Sequence, residues 1–294
     1  MKKTLEYKIF NIVSVFLVTS FALICLLPLI ITISGSLTSD KELFGGLSLI
    51  PKNPTLDAYR QIFRNGMDIG RAYINTIGLT VIGTVCSVLL TSMTSYVLYR
   101  RDFKARGFFS FYFYFTTLFS GGLIPSYLLN TALGLKDTYL VLLFSGLLAN
   151  TQIIMVRSFM TGNVPQSLIE AAKIDGAGDF QIYYKIVLPA IGSILATIAL
   201  LTALGYWNNW YTASIYIKDS NKYPLMYYLQ KIFNDAAMRE KMLMEGALEA
   251  DNYQAVGESF KMAMTVVTMG PVVLFYPFFQ RFFVSGVTIG AVKE

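Results

Sequence analysis

A chain of 294 residues, 54% hydrophobic and only 14% charged, has a mean hydropathy of +0.53. Soluble domains carry about 25% charge, so these proportions exclude an ordinary water-soluble enzyme. The absence of histidine excludes His-based catalytic triads, histidine metal ligands and imidazole pH switches. The two cysteines, Cys25 and Cys86, lie in apolar stretches and can build neither a disulfide framework nor a four-cysteine metal site.

Six runs lack any ionisable Asp, Glu, Lys, Arg or His: Ile9–Ser39, Ala72–Tyr99, Gly107–Leu135, Thr138–Val156, Ile186–Ile217 and Met262–Gln280. Each is 19 to 32 residues long. About 20 apolar residues in a helix cross a hydrocarbon core of roughly 30 Å. In lipid only helices and closed barrels satisfy their backbone, and barrel strands would show as short alternating segments. The expected architecture is an all-α membrane protein of one domain, residues 1–294, with six transmembrane helices near 9–33, 73–99, 108–130, 138–158, 187–213 and 262–284. The first run is too long for a signal-peptide core and has no clear small-residue cleavage site, so it reads as a retained span.

Lysine and arginine placement sets the orientation. With the amino terminus inside, the inner pieces hold Lys2, Lys3, Lys8, Arg100, Arg101, Lys104, Arg106, Arg157, Lys173, Lys185, Arg281 and Lys293, against six acidic residues. The outer pieces, nearly twice as long in total, hold twelve basic and twelve acidic residues. The net charge of +6 therefore faces the cytoplasm, placing the chain in the cell membrane with both termini inside. Charge arranged in this way anchors spans and gives no ground for a nucleic-acid partner.

Two outer loops are expected, 34–71 and 218–261. The second mixes both signs of charge with Tyr, Met and Leu, and reads as short packed helices. A cytoplasmic segment, 159–187, joins spans four and five. None of the six runs contains a group for a proton relay, and the chain carries no G-x-x-x-x-G-K-[ST] phosphate loop. Energy for uphill transport must then come from another polypeptide. Pro28, Gly121-Gly122, Pro125, Gly205, Gly270-Pro271 and Pro277 interrupt the spans, which suits a moving, cavity-lining bundle.

Residues 164–192 read VPQSLIEAAKIDGAGDFQIYYKIVLPAIG. Pro165 suits the first helical position, Glu170-Ala171-Ala172-Lys173 continues a short helix, and Gly176 suits the left-handed position that ends it. Gly178-Asp179 opens a second helix toward Pro189, and Ala171, Ala172 and Ala177 offer a smooth face to another protein. Glu170-Ala171-Ala172, Asp175-Gly176-Ala177, Ile186 and Leu188-Pro189 resemble the EAA motif of ABC importer permeases, with Tyr183 at the usual Phe position and Gly192 replacing a frequent final Pro. Ile124-Pro125-Ser126-Tyr127, GYWNNWYTASIYI (205–217), Tyr223-Pro224-Leu225 and the segment 276–294 extend the likeness to carbohydrate-uptake permeases, the MalG-like branch with LplC-type and alginate-type oligosaccharide permeases.

The resemblance implies a type I ABC importer permease fold and a non-catalytic subunit. It also implies a heterodimer with a second permease, two cytoplasmic ATP-binding cassette subunits and an extracytoplasmic sugar-binding protein. ATP and magnesium would sit on the partner ATPases, with no cofactor and no metal on this chain. Glu170, Ala171, Ala172, Asp175, Gly176 and Ala177 are the positions implied to dock on the ATPase. For a sugar or oligosaccharide path, the uncharged aromatic and amide cluster Tyr206, Trp207, Asn208, Asn209, Trp210 and Tyr211 stands out, because sugar faces sit on rings and hydroxyls pair with amides. A stand-alone channel or sodium-coupled carrier for a neutral solute is the alternative; it leaves the 164–192 segment unexplained. An intramembrane enzyme is a weaker third, lacking His or a buried charge.

Overall fold

The computed structural model describes residues 5–43, 45–46, 48–51, 53–64, 66–245 and 257–291. Lys2, Lys3 and Lys293, and part of the 218–261 loop, lie outside the described residues. Among the described residues the regular structure is entirely helical. The chain divides into two compact units, one of residues 1–66 with 231–270, the other of 67–230 with 271–294.

The first unit begins with α1 (Leu5–Ser36), a 32-residue helix. Its length of about 48 Å at 1.5 Å per residue exceeds a bilayer core. It is apolar all round, and the span Glu6–Ser36 has a mean hydropathy of 2.6 with none of its most apolar stretch buried by this chain, as expected for a lipid- or partner-facing helix. Pro28 lies inside it, and Thr32 Oγ1 donates to the Pro28 carbonyl at 2.8 Å. Short helices α2 (Asp40–Leu43) and α3 (Asp57–Arg64) follow. Asp40 Oδ1 accepts the Ser259 amide at 2.9 Å, and Ser36 Oγ pairs with Tyr59 OH at 2.8 Å. A Cβ on Gly35 would come within 2.1 Å of the Met262 sulfur, so glycine is what permits that close approach.

The second unit is built on α4 (Gly66–Tyr99), 34 residues long. Three bent pairs follow. Helices α5 (Arg106–Leu118) and α6 (Leu123–Ala132) meet at 118°; α7 (Tyr139–Ser145) and α8 (Asn150–Asn163) meet at 43°. Beyond α9 (Gln166–Ile174), the run α10 (Asp179–Ile182), a π-turn Tyr183–Val187 and α11 (Leu188–Ala190) meets α12 (Gly192–Trp207) at 81°. Helix α13 (Trp210–Tyr216) completes the apolar stretch. Among the described residues, three single helices are long and apolar enough to cross a membrane, and up to six spans result when each bent pair is counted as one.

The breaks refine the sequence reading. The expected spans 108–130, 138–158 and 187–213 each contain an interruption that a charge-free run cannot reveal. At the first, Gly122 adopts φ 85°, a conformation only glycine takes without strain, and its amide is held by Ser120 Oγ at 3.2 Å. At the third, Pro189 lacks the N–H that an ordinary helical turn would use; the turn before it widens so that the Leu188 amide bonds the Tyr183 carbonyl five residues back. Gly192 is the first residue of α12, after the break at Ile191. The 218–261 segment contains a short 3-10 turn (Ser220–Lys222) and the 20-residue α14 (Leu225–Met244), whose Leu225, Leu229 and Ala236 recur on one buried face. The last helix, α15 (Glu258–Ala291), starts four residues before the expected 262.

Candidate functional site

Pro165 is the extended residue before α9, with ψ 135°, so the helix starts at Gln166. Ile169 and Ala172, three residues apart, point into the core and fix one face. The helix ends in a Schellman motif: the Ala177 amide bonds the Ala172 carbonyl at 2.9 Å, and the Gly176 amide bonds the Lys173 carbonyl at 3.0 Å. Gly176 has φ 81°, and nothing lies within 4 Å of a Cβ built there. Backbone conformation, not space, selects glycine.

This short helix is braced from behind. Ile169, Ala172, Ile182, Tyr183, Val187 and Ile191 share one buried cluster with Tyr96 and Tyr99 of α4 and Val156, Met160 and Val164 of the α8 end. Tyr99 OH donates to the Val164 carbonyl at 2.5 Å. Tyr183 OH and Ser92 Oγ pair at 2.7 Å while both are buried, so the hydroxyl that distinguishes Tyr183 from Phe has a use.

A charged hub adds to this brace. The nearly buried Arg100 guanidinium binds both Asp102 oxygens at 2.7 and 2.5 Å, Asp179 at 2.7 Å and Tyr96 OH at 2.8 Å. Lys173 Nζ reaches Asp102 at 2.5 Å. One arginine thus ties the end of α4 to α10 directly and to α9 through Asp102. Hydrogen bonds from Arg100 and then Lys173 hold the Asp102 carboxyl well below the usual carboxylate range, and hydrogen bonds to Asp102, then Asp179 and Tyr96, hold Arg100 protonated. The sequence reading saw Arg100 only as a membrane anchor. Asp102 and Tyr96 lie within four residues of it, but the bond to Asp179, 79 positions away, leaves no local signature.

The predicted docking residues divide by exposure. Glu170, Ala171, Asp175 and Gly176 are exposed, Ala177 is half-buried and Ala172 is buried. The expected three-alanine face is therefore split: Ala172 serves the core. Beside the exposed set, Ile174 and Phe180 stand 86% and 72% exposed, an apolar rim around the Gly176 turn that the sequence reading missed.

The aromatic and amide cluster divides as well. Tyr206 is buried, donates to the Leu143 carbonyl at 2.6 Å, and lies so close to Gly83 and Gly146 that a Cβ on either would meet its ring at 2.4 and 2.9 Å. Trp207 is buried, edge-on to Tyr73, and lines an apolar cavity of about 360 Å³ with Ile77, Val81, Leu200 and Phe275. Asn208 is exposed. Asn209 caps α13, accepting the Thr212 amide at 3.2 Å and donating to Ser145 Oγ at 3.1 Å. Trp210 meets Tyr211 edge to face. Of the six residues, only Tyr211 lines a second cavity of about 480 Å³, with Ser120, Ser126, Asn130, Phe144, Ser145, Thr212 and Tyr216. Tyr206, Trp207 and Asn209 are thus engaged in packing or capping, while Asn208, Trp210 and Tyr211 are exposed.

Comparison with known proteins agrees with this architecture. Residues 2–289 match the family described as binding-protein-dependent transport system inner membrane component. The chain is 40% identical over 275 residues to the polygalacturonan/rhamnogalacturonan transport system permease protein YtcP of Bacillus subtilis (strain 168), covering 93% of this chain and 94% of that one. It is 32% identical over 296 residues to Protein LplC of the same organism, covering 100% and 98%. Among solved structures, a bacterial ABC transporter involved in the import of the acidic polysaccharide alginate superposes with a TM-score of 0.82 at 30% identity, covering 95% of this chain and 98% of that one. An all-helical fold, bent membrane spans and a match over nearly the whole length place this chain among the inner membrane components of binding-protein-dependent transport systems.

Proposed function

We propose that this chain is one permease of an ATP-driven importer of sugars or oligosaccharides, working as a heterodimer with a second permease. The complex includes two ATP-binding cassette subunits, one of which takes the 164–192 segment of this chain from the cytoplasm, and an extracytoplasmic binding protein delivers the solute. Sugar polymers named for the relatives YtcP and the alginate importer support the substrate class. The concentration of basic residues on one side supports cytoplasmic termini. ATP and magnesium belong to the partner ATPases; this chain is assigned neither cofactor nor catalytic role.

The observation that carries this reading is the braced helix α9. Its exposed end, Glu170, Ala171, Asp175 and Gly176 with Ile174 and Phe180, is what an ATPase could grip. Its inner face is locked to α4 and α8 by a buried cluster and by Arg100. Force applied to that end moves the bundle as a body instead of bending a loop. Closure of the ATPases on ATP then biases the bundle between outward- and inward-open states by their differential affinity for the two.

Gly176→Val tests the coupling. A β-branched residue is strained at this positive φ, so transport and sugar-stimulated ATP hydrolysis are lost while membrane insertion persists. Gly176→Asn, which tolerates the left-handed region, keeps most of both activities. Full uptake and full stimulation in the Val variant would refute the coupling assignment. Purification should also bring the ATPase chains along, which a stand-alone channel would not do.

A further inference from the structure

We propose that the cavity beside the break between α5 and α6 is a subsite for one uncharged sugar residue, free or within a longer chain, on the way through the membrane. The proposal rests on the reading of the chain as a sugar permease and adds to it a place and a selectivity. At about 480 Å³ the cavity falls within the roughly 300–1,000 Å³ typical of small-molecule sites. The 118° bend opens it: Gly122 turns the chain at φ 85°, and α7 and α13 supply the facing walls.

The lining chemistry suits an uncharged ligand rich in hydroxyls, as a sugar is. Its side chains include no acid and no base, yet Ser126, Asn130, Ser145, Tyr211 and Thr212 bring hydroxyl and amide groups to one place. Several are held in position while keeping capacity to bond. Asn130 Nδ2 donates to Tyr216 OH at 3.0 Å, leaving its amide oxygen open among the described residues. Ser126 and Ser145 donate to the Gly122 and Leu142 carbonyls, each at 2.8 Å, and each keeps an acceptor lone pair, although Ser145 also accepts from Asn209 Nδ2. Tyr211, half exposed and met edge-on by Trp210, offers a ring for a sugar face.

A carboxylate placed here would have no counter-charge in the walls and would be costly to desolvate. Lys136 of the adjoining turn is not among the lining side chains; its Nζ donates to Tyr127 OH at 2.5 Å. An uncharged ring meets matched partners; an acyl chain would leave the hydroxyls and amides unpaired.

The test uses the complete complex, reconstituted with its ATPases and binding protein, in a Cys25→Ser, Cys86→Ala background. A single cysteine, Thr212→Cys, is labelled from outside with a membrane-impermeant maleimide, with raffinose, arabinotriose, a rhamnose–galactose disaccharide or digalacturonate as probes. At least one neutral probe slows labelling several-fold, and digalacturonate does not. No protection by any probe, protection by digalacturonate alone, or failure to label because lipid or the second permease fills the space would overturn the proposal. Independently, Tyr211→Ala lowers sugar moved per ATP by about fivefold, the equivalent of one ring contact, while Tyr211→Phe does not. An unchanged ratio of sugar to ATP in Tyr211→Ala would overturn the subsite. A coupling reading that failed at Gly176 would leave the labelling result standing, so the two are separable.

Discussion

At the scale of single residues, function rests on groups whose chemistry is fixed by one or two neighbours. Tyr183 and Ser92 share a buried hydrogen bond at 2.7 Å. Removing the hydroxyl by Tyr183→Phe leaves Ser92 with only its bond to the Leu89 carbonyl at 3.0 Å. It should destabilise the purified protein by about 1 kcal/mol, read from thermal unfolding in detergent. Asp102 gives the pH dependence a sign. Its folded-state carboxyl is held below its unfolded value, first by Arg100 and then by Lys173, so its contribution is complete above about pH 5 and is lost as pH falls below about 4. The unfolding temperature should therefore hold steady from pH 8 to 5 and drop on further acidification, and Asp102→Asn should flatten that acid limb. Gly192 is a simpler case. It opens α12 with nothing within 4 Å of an added Cβ, so Gly192→Ala should stabilise by about 0.4–1 kcal/mol through the unfolded chain.

At the scale of helices, the breaks decide what the spans can do. Unbroken, the 108–130 stretch would be a plain membrane rod; bent at Gly122, it makes room for a hydroxyl-lined cavity. The break between α7 and α8 frees carbonyls at the end of α7, and Tyr206 answers one of them from α12. That contact exists only because Gly83 and Gly146 leave space for the ring. Gly83→Ala, with its Cβ 2.4 Å from the Tyr206 ring, should cost about 1–3 kcal/mol by overpacking. Pairing it with Tyr206→Ala should recover part of that loss, which a double-mutant cycle in thermal unfolding would detect. Glycine punctuation was visible in the sequence; which helix each glycine admits was not.

For the molecule as a whole, the division of labour follows from what the chain contains and where it sits. Apolar helices supply the membrane path. In the function proposed above, the braced α9 is the contact for the ATPase and the neutral cavity is a stop for the solute. Overall helix content, membrane class and the short helix α9 with its glycine end could be read in advance, because each is a local property of composition or spacing: charge-free length, a glycine at a helix end. The aromatic cluster 206–211 could be found but not sorted, since Tyr206 as packing, Asn209 as a cap and Tyr211 as a cavity wall all carry the same type of polar or aromatic side chain.

What the sequence determined by itself, then, was that this chain lives in a bilayer and presents an EAA-type segment, because transfer energies and helix caps act over a turn or two. Only the tertiary structure decided that Arg100 binds Asp179, that Ala172 faces inward and that Ser126, Asn130, Ser145 and Thr212 meet around one space. Those outcomes depend on bend angles at Gly122, Gly146 and Ile191, and a bend redirects every residue beyond it without changing a single local preference.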